Sequence, residues 1–269
     1  MDFHPYARKR LLRYLLLFLV LGIAVAGIAW WRGNQQPINS QSAVSDASGR
    51  SAASPSGFNK SQYSVNDPAS LWVVVNKGRI LPSDYVPADP VVPNVSLNES
   101  ASSDNMHLRR DAATALEKLT SAASGESIKL MLVSGYRSYA TQQSVYSGYV
   151  SSQGKAYADA TSAQPGHSEH QTGLAADLGA ISGKCQLEPC FGDMAEGKWL
   201  AANAHDYGFI IRYQKNKTNL TGYDYEPWHL RYVGVELAAV LNKADQTLEQ
   251  FFSLPAYPSY SSQIYQLKN

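Results

Sequence analysis

Three short stretches carry residues whose types and spacing could do chemistry. The first runs from Ser168 to Asp177 and reads SEHQTGLAAD. His170 offers an imidazole and Asp177 a carboxylate, two ligand types that gather around zinc at about 2.0–2.2 Å. Gly173 can turn the chain between them, so both could reach one ion. Asp177 ends a short apolar run, where a buried carboxylate needs a strong partner. Spacing alone leaves two readings open, a metal site and a hydrogen-bonded His–Asp pair. The second stretch, Tyr225 to Arg231, reads YEPWHLR. His229 is a further ligand candidate, and Glu226 is a carboxylate three positions before it. Three protein ligands plus one open position form the usual catalytic zinc arrangement, and Glu226 would then take a proton from water. In a regular strand residues three apart face opposite ways. Pro227 disfavours a regular ladder here, so Glu226 is expected just before a strand and His229 within it. The plain alternative is a half-buried edge strand with a surface Glu. The third stretch, Ser134 to Ser138, reads SGYRS. An Arg in a tight polar turn, Arg137, can clamp a carboxylate with two parallel hydrogen bonds, or it can be a surface ion-pair residue. Gln142 faces the same space from the next helix. Of the other histidines, His167 reads as a hydrogen-bonding or rim residue, and His107 and His205 as groups at helix boundaries.

The elements that must position these residues follow from periodicity. Apolar runs predict strands at Leu71–Asn76, Ile128–Val133, Leu174–Leu178, Phe209–Tyr213 and Pro227–Tyr232. Helical spacing predicts helices from Met106 to about Ala123 with Asp104 as cap, from Thr141 to Ser151, from Gly197 to Tyr207, and from Val235 to Leu241. Gly208 is placed to end the third of these. Helices and short strands mixed without a βαβ rhythm predict an α+β class. The expected architecture is a small mixed or antiparallel sheet packed with helices around a zinc site, preceded by one transmembrane helix.

The 269 residues carry a formal net charge of +1, so no global basic field points to nucleic acid. The positive excess sits at the N-terminus, where residues 1–32 hold five Lys/Arg and one Asp. Tyr14 to Trp31 is an 18-residue run without a charge, preceded by Arg8, Lys9, Arg10 and Arg13. It reads as a membrane anchor with the N-terminus inside and the remainder extracellular, on the cell-wall side. A cleaved signal peptide and a buried core helix are the rival readings. Seven Ser among the 28 residues of 33–60 read as a flexible tether. The expected organisation is a short cytoplasmic segment at 1–13, the anchor at 14–31, the tether at 33–60, a zinc domain at 61–255, and a tail at 256–269. Two cysteines cannot frame a domain of this size. Cys185 and Cys190, five apart, read as a disulfide closing a small loop, over a metal pair with no partners nearby.

Together the motifs resemble the VanY/LdcB-like D-alanyl-D-alanine carboxypeptidases of peptidase family M15, related to the LAS group of zinc peptidases. The family pattern SxHxxGxAxD is matched from Ser168 to Asp177, its ExxH segment with a Trp before the His from Glu226 to His229, and SGYRS from Ser134 to Ser138. The lead-in LWVVVNKGRILPSDYVP, residues 71–87, also looks like the start of that domain. The resemblance covers about 70 to 245. It implies one Zn2+ ion on His170, Asp177 and His229, with Glu226 as general base and Arg137 near the substrate. Ser168 and Gln142 would sit in the substrate pocket. It further implies removal of the terminal D-alanine from peptidoglycan stem peptides, without separating D,D- from L,D-action. An endopeptidase with a cleft open at both ends and a non-catalytic binding module are the alternatives. Stem peptides and the membrane are the expected partners, with no nucleic acid and no obligate protein partner. The Cys185–Cys190 stretch departs from the family pattern, and there the pocket rim could differ.

Overall fold

The buried strand after residue 128 belongs to the sheet that carries the site. A computed structural model gives the fold and describes residues 58–268. Its strands are β1 (Arg79–Ile80), β2 (Pro90–Val91), β3 (Leu108–Arg109), β4 (Leu130–Ser134), β5 (Ala175–Ala180), β6 (Phe209–Tyr213), β7 (Glu226–Tyr232) and β8 (Tyr265–Gln266). Its α-helices are α1 (Arg110–Gly125), α2 (Tyr139–Gln153), α3 (Lys155–Thr161), α4 (Ala195–Asn203), α5 (Thr218–Thr221), α6 (Val235–Ala244) and α7 (Leu248–Phe251). The class is α+β. The main sheet has the order β4-β5-β7-β6, with every neighbour antiparallel. Two small pairs complete the strands: β1 with β8 in parallel and β2 with β3 antiparallel.

Two apolar clusters hold the layers together. Ala112, Leu116, Leu119 and Ala123 recur at helical spacing on α1 and pack with Leu132, Leu178, Phe209 and Leu230 of the sheet. Ile210, pointing opposite to Phe209 on β6, joins Trp72, Val233, Leu237 and Leu241 in the second cluster. Local signals set the helix ends. The Ser138 hydroxyl accepts from the Thr141 amide and caps α2, and Gly208 takes a left-handed conformation after the 3-10 turn that follows α4. Helix α1 starts at Arg110 and not near Asp104, because Leu108 and Arg109 are drawn into pairing with β2. The segment beyond 255 packs onto the unit, with β8 paired to β1 and Leu267 fully buried.

Two expectations are corrected. Leu71–Asn76 is buried but forms no ladder strand. Its carbonyls are satisfied by arginines: Arg231 donates to Leu71 and Val73, and Arg79 to Val74. Buried backbone needs partners, but side chains can supply them. The transmembrane helix is the second correction, together with the membrane partner and the single-pass, extracellular placement that rested on it. Among the described residues no helix is long and apolar enough to cross a membrane. Helix α1, with 16 residues, reaches only about 24 Å against a hydrocarbon core of about 30 Å, and it buries one face only. The run at 14–31 on which the anchor rested lies outside the described residues, as do the segment 1–13 and the tether up to 57.

A buried ion cluster joins the sheet to α7. Arg212 on β6 donates its Nε to Glu169 at 2.8 Å and its two terminal nitrogens to Glu249 at 3.0 and 2.6 Å. Arg231 on β7 donates to Glu169 at 2.9 Å. Glu249 is placed by α7, whose first turn is fixed by a reciprocal cap between Thr247 and Gln250. Burial pushes the Glu249 carboxyl up, but Arg212 and Asn76 outweigh it and hold it below the usual carboxylate range. A depressed folded pKa gives stability that is complete above the unfolded value near 4.3 and is lost as pH falls through the folded one. Thermal melts of the metal-free protein should therefore show a Tm that drops steeply below about pH 4. Glu249→Gln should destabilise by about 3 kcal/mol or more at pH 7. It should also flatten the acid drop; an equal drop in both proteins would contradict this account.

Candidate active site

Register assembles the site. Asp177 lies at the middle of β5, opposite Ser134 of β4 on one side and His229 of β7 on the other. Irregular pairing then aims the side chains. Between β4 and β5, Leu132 faces Leu178 while Ser134 faces Asp177, so β4 carries one extra residue. Between β6 and β7, Ile211 faces Leu230 while Tyr213 faces Glu226, so β7 spends four residues where β6 spends two. That bulge turns Glu226 onto the face of His229, with Glu226 Oε2 3.7 Å from His229 Nδ1. Glu226 is thus the first residue of the strand itself, and the bulge does what Pro227 alone was expected to do.

His170 arrives from a 3-10 turn, Glu169–Thr172, closed by Gly173 in the left-handed region at φ 69°. Its Nδ1 donates to the Gly135 carbonyl at 2.6 Å, since a carbonyl can only accept. The lone pair of Nε2 then faces Asp177 Oδ2 at 3.2 Å. Gly135 also lets this turn pack against the segment around His107, because a Cβ there would lie 2.4 Å from the His107 carbonyl. His229 Nδ1 lies 3.0 Å from Asp177 Oδ1. Ligand atoms of His170, Asp177 and His229 all lie within 4.8 Å of one another, and all three residues are buried.

This donor set fits zinc. Each imidazole presents a nitrogen to a different Asp177 oxygen, His170 Nε2 to Oδ2 at 3.2 Å and His229 Nδ1 to Oδ1 at 3.0 Å, which is close enough for all three residues to share one ion at bonds of about 2.0–2.2 Å. Asp177 Oδ1 is buried without a hydrogen-bond partner. Burial raises the Asp177 carboxyl, but His170 and His229 outweigh it and hold it well below the usual range. Burial disfavours a charged His229, yet Asp177 and Glu169 raise it to about 10. A field that holds a proton that firmly favours a cation in its place. Burial also pushes the Glu226 carboxyl up to about 8, against the pull of His229.

These groups line a cleft of about 600 Å³. Arg137 and Ser168 stand in its wall, with Tyr149 and Tyr157 of α2 and α3 on one rim and Gln186, Leu187, Glu188 and Pro189 on another. Cys185 and Cys190 form a disulfide, Cα atoms 5.6 Å apart, which closes that second rim. Arg137 donates to Gln142 Oε1 and Ser134 Oγ, each at 2.8 Å. Gln142 is fully buried and spends its amide nitrogen on the Ala163 carbonyl and Ser162, so it orients Arg137 from behind instead of lining the cleft. Ser168 is buried, and its hydroxyl accepts from the His170 amide. His167 is kept away from the triad by its Nδ1 contact, 2.8 Å, with the Asn76 carbonyl. Local spacing assigns no role to Glu169 or Arg212, nor to Ser134 and Arg231 within their motifs. Arginines within the apolar runs FIIRY and HLRY were the available signal, since such charges require a buried partner.

A His/Asp/His triad with a free glutamate beside it, set in a cleft, defines a zinc peptidase site. The family model described as VanY, D-alanyl-D-alanine carboxypeptidase, matches residues 105–235. YodJ of Bacillus subtilis (strain 168), designated a carboxypeptidase, is 45% identical over 70% of this chain and 69% of its own length. Among solved structures, the LdcB LD-carboxypeptidase superposes with a TM-score of 0.66 at 42% identity, covering 74% of this chain and 89% of that one. A variant of the D,D-pentapeptidase VanY from a VanB-type resistance cassette, in complex with Zn(II), does so with a TM-score of 0.54 at 31% identity, covering 66% and 97%. The chain belongs to the VanY family of D-alanyl-D-alanine carboxypeptidases. It is a zinc metallo-carboxypeptidase.

Chelation of the purified protein should abolish turnover, and zinc should restore it. Asp177→Asn and His229→Ala should lower bound zinc well below one ion per chain by elemental analysis. Full zinc retention in both variants would remove these residues from the ligand set.

Proposed function

We propose that this chain removes the C-terminal D-alanine from peptidoglycan stem peptides, with His170, Asp177 and His229 holding the zinc. The observation that carries the reading is Arg137. Its hydrogen bonds to side chains all go to neutral partners, and among the described residues no carboxylate lies within ion-pairing distance of it. A half-buried guanidinium without an anion, facing the cleft that holds the triad, is a receptor for one. The free carboxylate of a peptide end supplies that anion, and it places the last peptide bond near the triad.

Each residue then has a task. Arg137, held in place by Gln142 and Ser134, takes the terminal carboxylate and selects for an unblocked end. Glu226, with Oε2 3.7 Å from the His229 ring at the edge of the triad, stands where a carboxylate can accept a proton from the attacking water and return it to the leaving amine. Ser168 keeps the turn carrying His170 in shape through its bond to the His170 amide. Zinc, when bound, supplies Lewis-acid polarisation of the scissile carbonyl and of water.

Incubating the zinc-loaded protein with tetrapeptide and pentapeptide stems should release D-alanine, and the stem that shortens shows whether the cut is L,D or D,D. Release from neither stem would overturn the reading. Glu226→Gln should keep its zinc and lose about 10²–10⁴-fold in kcat. Arg137→Met should lose about 10²-fold or more in kcat/KM, mainly through KM, and should no longer distinguish free from amidated peptide ends. An Arg137→Met enzyme that still rejects amidated ends would remove the carboxylate role from Arg137.

A further inference from the structure

We propose that Glu169 is a positioning residue for the metal centre: it accepts the Nε2 proton of His229 and so commits Nδ1 of that ring to the ion. The two nitrogens of His229 look at different carboxylates. Nδ1 lies 3.0 Å from Asp177 Oδ1 on the site side, and Nε2 lies 3.5 Å from Glu169 Oε2 on the far side. His229 Nε2 and Glu169 Oε2 are both buried, and neither makes a hydrogen bond to any group in the structure. They face each other, so each is the available partner of the other.

The carboxylate is prepared for that task. Its other oxygen, Oε1, receives Arg212 Nε at 2.8 Å and Arg231 Nη1 at 2.9 Å. Two guanidinium groups on one oxygen fix the plane of the group and leave Oε2 turned to the ring. A neutral imidazole carries one N–H, and the nitrogen that meets a cation must be bare. In the wrong tautomer the N–H would point at the ion, and a bare Nε2 would face a carboxylate oxygen, lone pair against lone pair. The first ligand solves the same problem differently, because His170 Nδ1 donates to the Gly135 carbonyl. The two imidazoles therefore bind through opposite nitrogens, His170 through Nε2 and His229 through Nδ1, each set by the acceptor behind it.

The inference rests on the zinc reading above, and its test separates the two. Full-length chain with 15N-labelled histidine, loaded with zinc, is examined by two-bond proton–nitrogen correlation. His229 should appear as the Nε2–H tautomer, with a ring proton protected from exchange with water, and His170 as the Nδ1–H tautomer. In parallel, Glu169→Gln should weaken zinc binding by about 10–100-fold in competition with a chelator. An Nδ1–H tautomer for His229 in the loaded wild type would overturn the proposal. So would a folded Glu169→Gln protein that binds zinc as tightly as wild type, since a residue serving only the ion cluster would lower Tm and leave affinity alone. If Glu169→Gln does not fold, the wild-type tautomer decides. A wild-type chain that takes up no zinc overturns the metal reading itself, and this inference with it.

Discussion

A carboxylate in the middle of a wholly buried strand is costly unless something positive meets it, and Asp177 is that carboxylate. Every residue of β5 is buried, and Asp177 itself is only 5% exposed, so its charge is poorly solvated. Its neighbours in register supply the answer. His229 sits directly across on β7, and the chain leaving β4 at Ser134 brings Gly135 to hold His170 from the other side. The fold is arranged so that one charge is satisfied from two directions, and an arrangement that satisfies it with two imidazoles is also a divalent-cation site.

Regular strands would not have been enough. Alternation would send Glu226 and His229 to opposite faces, and Ser134 would pair elsewhere. Both corrections come from register shifts next to the site, one in each of the two strands that flank β5. Such bulges cost ladder hydrogen bonds and are kept where a side chain must be re-aimed. Here they place Glu226 beside the His/Asp/His triad and bring the Arg137 turn to the cleft wall.

Behind the triad lies a second set of charges, Glu169, Glu249, Arg212 and Arg231, balanced two against two and sealed from solvent. It reaches from the ring of His229 to α7. The cluster links the last helix to the chemistry through fully buried contacts, so the site is supported by residues far from it in sequence.

Short-range information in the chain determined a good deal. Apolar alternation and capping residues located most strands and helices within a few positions, as with FIIRY at β6 and Ser138 before α2. Ligand-type residues beside a turning glycine singled out His170 and Asp177, and separated motifs pointed to the family. What periodicity could not reach was pairing between distant segments. The LWVVVN run has the composition of a strand, yet two of its carbonyls are taken by one arginine, Arg231, 160 and 158 positions away. Gln142 was legible as near the site but not as the support behind Arg137, and Glu169 beside His170 drew no notice. A side chain's chemistry is written locally, whereas its partner, its burial and the nitrogen it presents depend on which strand lies across from it, and only the assembled sheet decides that.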